Sequence, residues 1–245
     1  AGVVRGFQVY SFEPVGRNRG LFTTRFTTEV VSQLTGQQAG CIPFTNVPIE
    51  PGEAVPKRPW YEYRHREVNV GCGELDDGHV FLFGAAVGET VRGVNITTRY
   101  DYTSITQTAY LAGPHDASTE HCSMTRLDAV LEYVGVESID VLKIDAEGYE
   151  MGVLRGAESL LAKGAVHYLV VEYHPGMLST AGTDHVAFLY FLRHYGFVCY
   201  SSRVGVPTTF EAFGARYTTA EAQPLQGLGQ LEDLLCENIS WDPPA

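Results

Sequence analysis

The apolar residues of this chain come in short blocks, and the spacing within each block predicts an element. Phe7 to Phe12 reads as a strand that stops at Glu13-Pro14, because Pro14 holds Glu13 extended and removes a ladder donor. Phe22, Phe26, Val30 and Leu34 recur every four residues and end before Gly36, a helical spacing weakened by its threonines. Pro43, Pro48, Pro51, Pro56 and Pro59 predict an irregular insertion over 36–66. Glu67 to Val70 and His79 to Phe83 read as strands flanking a Gly71 to Gly78 hairpin-like turn, the second running on through Gly84 to Gly88. Residues 89–124 are polar, rich in Thr and Tyr, and ambiguous between strand and loop.

The second half is more regular. Thr125 is placed to cap a helix whose Leu127, Leu131 and Val134 face inward, with Gly135 as its stop. Ile139 to Ile144 is a strand, Gly148 to Lys163 a helix broken near Gly156, and Val166 to Glu172 another strand. Phe188, Phe191, Leu192 and Tyr195 fall at i, i+3, i+4 and i+7 within a helix from Asp184 to Tyr195, closed by Gly196 and followed by a strand from Phe197 to Tyr200. Strands and helices alternating through short links predict an α/β domain with a parallel or mixed sheet and helices on its faces. There is no internal repeat, so residues 1–245 are read as a single domain.

Composition narrows the class of partner. The chain is 44% apolar and 19% charged, ordinary for a globular protein. Its net charge of −12 argues against nucleic acid or an anionic membrane, which select basic surfaces. The longest apolar runs, Val80 to Val87 and Val166 to Val171, are strand-length and far short of a membrane span. No signal peptide is visible, and no Met precedes Ala1, as expected of a processed chain or a fragment. Five scattered cysteines, with no pair at two-residue spacing, predict free thiols in a reducing, cytoplasmic setting.

Open α/β sheets bind ligands beyond the carboxyl ends of their strands. Glu13 closes the first strand, Asp145 and then Glu147 follow the strand Ile139 to Ile144, and Glu172 and then His174 close the strand Val166 to Glu172. Packing alone does not ask for three strands ending in carboxylates. Lys143 lies within an apolar strand that a parallel sheet would bury, and it shares a face with Asp145 by period two. A buried ammonium needs a partner, and Glu172 is one candidate.

The stretch from Ile139 to Glu150, with Lys143-Ile144-Asp145-Ala146-Glu147-Gly148-Tyr149-Glu150 at its heart and Val153-Leu154-Arg155-Gly156-Ala157 after it, resembles the signature of the FkbM-type methyltransferases. Tyr10-Ser11-Phe12-Glu13-Pro14 with Asn18, Ala86-Val87-Gly88, Leu127-Asp128 and Glu172 fit in the same order. The resemblance spans roughly residues 7–200 and is strongest over 125–175. It implies a class I, Rossmann-like methyltransferase fold, mostly parallel with helices on both faces, and S-adenosylmethionine as cofactor. By matching position it makes Glu13 the acceptor for the ribose hydroxyls, Ala86 and Val87 the segment beside the adenine, and Asp145 the carboxylate facing the methionine part and the acceptor. Glu147 joins the cofactor-binding set, while Asp145, Glu172 and His174 form the catalytic one. The implied substrate is a sugar or other small-molecule hydroxyl. Such a transfer needs positioning and a base, Asp145 or His174, because its leaving group is neutral.

One departure stands out. The family's glycine-rich loop and central first strand should precede Glu13 by about twenty residues, and the chain begins twelve residues before it. Val68-Asn69-Val70-Gly71-Cys72-Gly73 imitates the loop, but Glu74 to Gly78 after it reads as a turn rather than a helix start. The expectation is an incomplete domain, and a truncated, non-catalytic chain unable to hold the cofactor is the alternative. Each site residue also has a plainer role open to it: Glu147 as a helix-start charge, Lys143 and Glu172 as a structural pair, and His174 as a strand terminus. A divalent-metal site of Asp145, Glu147, Glu172 and His174 is a further alternative, whereas His115, His121 and Cys122 fit no standard zinc spacing.

Overall fold

The described strands of this protein sort into three ladders, and the loops joining their carboxyl ends carry the polar residues of interest. The computed structural model describes residues 7–14, 44–47, 49, 78–99, 102–105, 118–201 and 232–241. The predicted helix over 22–34, the strand at 67–70, the glycine-rich imitation at 68–73 and His115 lie outside these residues.

The first ladder is wholly parallel: β1 (Phe7–Phe12) and β2 (Phe44–Val47) flank β3 (Gly78–Phe83). Phe81 and Phe83 are buried, and stacks of Tyr10 on Phe81 at 5.1 Å and Phe12 on Phe83 at 4.9 Å lock the register. Thus β3 takes parallel neighbours on both sides in place of the expected hairpin geometry. Within the expected irregular insertion, Phe44–Val47 forms a strand.

The chain then bends at Gly84 and Ala85 and changes ladder, where the sequence predicts one continuous strand. Ala86 and Val87 form β4 (Ala86–Val87), which pairs in parallel with β7 (Ser118–Thr125). Between them β5 (Arg92–Arg99) pairs antiparallel with both β7 and β6 (Tyr102–Ile105). The ambiguous stretch 89–124 is therefore largely antiparallel sheet over its described residues. Ile96 and Met124 are fully buried on its inner face.

The third ladder holds the site. In chain order it runs α1 (Leu127–Val134), β8 (Ile139–Ile144), α2 (Glu150–Arg155), α3 (Glu158–Ala162), β9 (Val166–Tyr173), α4 (Pro175–Thr180), α5 (His185–His194), β10 (Phe197–Ser201) and β11 (Glu232–Asn238). The strand order is β10-β11-β9-β8, with β8 and β9 parallel and β11 antiparallel to both of its neighbours. Leu169, Val171 and Leu234 are wholly buried, alternating with residues that face outward. Helix α1 stops at Gly135 with φ +73°, as predicted, but Thr125 lies in β7 and Arg126 occupies the cap position without a capping side-chain bond. The break between α2 and α3 falls at Gly156, where the backbone passes against the carbonyl of Gly88 and leaves no room for a Cβ.

Three further expectations change. Among the described residues four pairings are parallel (β1–β3, β2–β3, β4–β7, β8–β9) and four antiparallel (β5–β6, β5–β7, β9–β11, β10–β11), so the sheet structure there is mixed rather than mostly parallel. The tight link between β5 and β6 permits only antiparallel pairing, and β11 enters antiparallel between β9 and β10. Lys143 is not buried, because β8 is an edge strand among the described residues, with Val141 58% exposed beside it. Cys199 and Cys236 are not free thiols: the β10–β11 register sets them directly opposite, their Cα atoms 3.9 Å apart, and they form a disulfide. No helix among the described residues is long and apolar enough to cross a membrane.

Candidate functional site

Parallel pairing of β8 with β9 in the register Ile144 to Val171 brings out the next residues, Asp145 and Glu172, side by side at the carboxyl edge. The chain after Asp145 must turn sharply to start α2. It does so through two successive left-handed residues, Glu147 at φ +51° and Gly148 at φ +98°. A Cβ on Gly148 would stand 2.6 Å from the carbonyl oxygen of Met177, so the turn packs directly on α4 and only glycine fits. For Glu147 the same conformation costs about 1–2 kcal/mol, a strain found where surrounding contacts hold a functional turn. Those contacts come from Glu150, which is 1% exposed and whose Oε1 accepts the N–H groups of Ala146 and Gly148, each at 3.0 Å.

Negative charge concentrates here. Burial raises the Glu172 carboxyl to about 7, helped by repulsion from Asp145, Glu147, Glu150 and Asp233. The residue is only 9% exposed, and its Oε2 has no hydrogen-bond partner. Burial, then Asp145 and Glu150, likewise pushes the Glu147 carboxyl up. Burial pushes Glu150 up as well, against the backbone donors that favour its ionised form, and its Oε2 is also buried without a partner. Asp145 binds Lys143 at 2.8 Å, but the two side chains are 50% and 59% exposed, and such a pair contributes little to stability. Lys143 therefore pairs with Asp145 at the exposed edge and not with Glu172, its candidate partner.

Other predicted site residues occupy different places. Glu13 lies at the carboxyl end of β1, half-buried, its N–H donating to the carbonyl of Phe83 at 3.0 Å. Ala86 is buried in β4 and Val87 half-buried, opposite Met124 and Thr125. His174 caps α4: its Nδ1 accepts the Met177 N–H at 3.1 Å, with Pro175 at the first helical position. Accepting at Nδ1 leaves Nε2 as the donor position of the His174 ring. Asp128 also caps, its two oxygens accepting the N–H groups of Ser159 and Leu160 at the start of α3. His121 and Cys122 are neighbours on β7 and point to opposite faces, the first exposed against Asn95 and the second buried. No three His, Cys, Asp or Glu side chains among the described residues are arranged to hold a metal ion.

The structure thus gathers Asp145, Glu147 and Glu172 and adds Glu150, which sequence reasoning did not single out. Its signal was present: a carboxylate inside the buried run from Tyr149 to Leu154 has to find donors locally. Over 82 residues the chain is 38% identical to the AMB antimetabolite synthetase AmbE of Pseudomonas aeruginosa, a stretch that is 33% of this chain and 4% of that synthetase. No solved structure matches. The family profile described as "Methyltransferase FkbM domain" matches residues 5–199. That match takes in β1 and both carboxylate-bearing strand ends and stops within β10 at Cys199, and a correspondence over most of the chain places it in the FkbM methyltransferase family, to which it belongs.

Proposed function

We propose that the chain is a class I methyltransferase domain that uses S-adenosylmethionine to methylate an oxygen of a sugar or other small-molecule hydroxyl. The carboxylate cluster at the adjoining carboxyl ends of parallel β8 and β9 is the observation that carries this reading. Class I architecture is supported by the two parallel blocks β1–β3 and β8–β9, each ending in a carboxylate, and by β11 lying antiparallel between β9 and β10. The donor set fits the cofactor: a cationic ligand suits a site where Glu172 is buried with one oxygen lacking a partner. When bound, S-adenosylmethionine supplies a methyl group on a sulfonium, whose departure as a neutral thioether needs no acid.

The protein's own residues then have distinct tasks. Glu13 accepts hydrogen bonds from a vicinal diol, as a carboxylate with two oxygens can. Ala86 and Val87 offer an apolar wall to a base. Asp145 and Glu147 present negative charge from a turn held rigid by Glu150. Glu172 exchanges its proton near neutrality and can take one from an acceptor hydroxyl, while His174 orients that hydroxyl by donating from Nε2. A small acceptor, in place of nucleic acid or an anionic membrane, suits the net charge of −12.

Calorimetry of the full-length protein with S-adenosylmethionine tests the reading. Wild type should bind, and Glu13→Ala should bind more weakly by about 1.5–3 kcal/mol, the scale of hydrogen bonds to a charged group. Unchanged affinity in the variant removes the ribose assignment. Absence of binding by the wild type removes the methyltransferase reading itself.

A further inference from the structure

Glu150 is the least exposed carboxylate of the cluster, and nothing in the reading above makes it touch substrate or cofactor. Its Oε1 ties down two backbone N–H groups of the turn, Ala146 and Gly148, flanking the left-handed Glu147. Without these bonds both donors would lose their partner, one of them in a buried position. The rest of the carboxylate is sealed in, with Oε2 buried and lacking a partner.

We propose that Glu150 is a positioning residue of the site: it holds the Asp145–Gly148 turn in shape from within and sets a buried carboxyl group among those that face Glu172. This rests on reading Asp145 and Glu172 as the working carboxylates. Glu172 is faced by Asp145 and Glu147 from the turn, Glu150 from α2 and Asp233 from β11, and Lys143 offsets Asp145 at the exposed edge. Of these, Glu150 combines a fixed position with nearly complete burial, so solvent screens its charge least. Burial raises the Glu172 carboxyl most, Asp145 and Glu147 come next, and Glu150 adds to them from the protein interior.

The test uses the full-length protein without cofactor, comparing Glu150→Gln with Glu150→Ala. Glu172 is titrated by carboxyl-carbon NMR, its signal assigned by its loss in Glu172→Gln, and exchange of the Ala146 and Gly148 amides is followed in parallel. Glu150→Gln keeps an oxygen for the turn, so amide protection should persist while the Glu172 midpoint falls only part of the way toward the usual carboxylate range, since burial, Asp145 and Glu147 remain. Glu150→Ala should lose about tenfold or more of that protection, the loss expected when hydrogen bonds to a charged group are removed. A Glu172 midpoint unmoved in Glu150→Gln overturns the proposal, as does full amide protection in Glu150→Ala. Should Glu150→Ala not fold, the Gln variant alone decides. A wild type that binds no S-adenosylmethionine yet titrates as described defeats the methyltransferase reading and leaves the role of Glu150 standing.

Discussion

Replacing Glu172 by Gln should change how the stability of this protein responds to pH. Burial, with repulsion from four neighbouring carboxylates, lifts the Glu172 carboxyl from 4.5 to about 7. In the unfolded chain the same group ionises near its ordinary value. Between the two values the native state holds a proton that the unfolded chain has released. The native state then binds more protons, so stability falls as pH rises through that window. Below about pH 4.5 both states are protonated and the effect is absent; above about 7 both are ionised and the loss is complete. At about 1.4 kcal/mol for each tenfold change, the span from 4.5 to about 7 corresponds to roughly 3 kcal/mol. Gln has a similar shape and no proton to lose, so this term vanishes from the variant. Urea unfolding of both proteins across the window is the assay. The stability difference should shift by about 3 kcal/mol in favour of the variant between the acid end and neutral pH. A difference that stays constant across that range would refute the assignment of a buried, high-affinity proton to Glu172.

Three further outcomes are expected. Asp145→Asn should fold with nearly wild-type stability, because its ion pair with Lys143 is half-exposed, while turnover drops on the order of a hundredfold, the scale of a lost base or positioned charge; near-normal turnover in steady-state kinetics would move the burden to Glu172. Reducing the Cys199–Cys236 bond, or replacing both cysteines by Ser, should lower the unfolding free energy by about 2–4 kcal/mol, as a cross-link closing a separation of 37 residues predicts; denaturation with and without reductant reads this directly, and coincident curves would show the bond to be dispensable. Gly148→Ala should destabilise far more than Gly135→Ala. Both positions have positive φ, but a Cβ at 148 meets the Met177 carbonyl at 2.6 Å, while at 135 it meets open space; equal melting temperatures for the two variants would remove the close approach of the turn to α4.

What could be read from the sequence was what local chemistry controls. Pro14 ends β1, Gly135 stops α1, the helix after Gly148 breaks at Gly156, and Asp184 opens α5 by accepting the Ala187 N–H at 2.7 Å. Each of these depends on residues a few positions apart, through backbone sterics or a cap. The family, too, was legible, because its signature from Ile139 to Ala157 is contiguous. The same stretch named Asp145 and Glu147, and the strand ends named Glu172.

Neighbours across the fold were a different matter. Period two says which side chains share a face of a strand, but not which strand lies alongside. Only the tertiary structure placed β11 between β9 and β10, and with it the pairing of Cys199 with Cys236 across 37 residues. Only the structure gave β8 an edge position among the described residues, with Lys143 reaching Asp145 in the open, and set the His174 ring to cap α4. The proton affinity of Glu172 was likewise beyond the sequence. It arises from burial and from carboxylates on the turn, on α2 and on β11, and those distances exist only once the strands have chosen their partners and register.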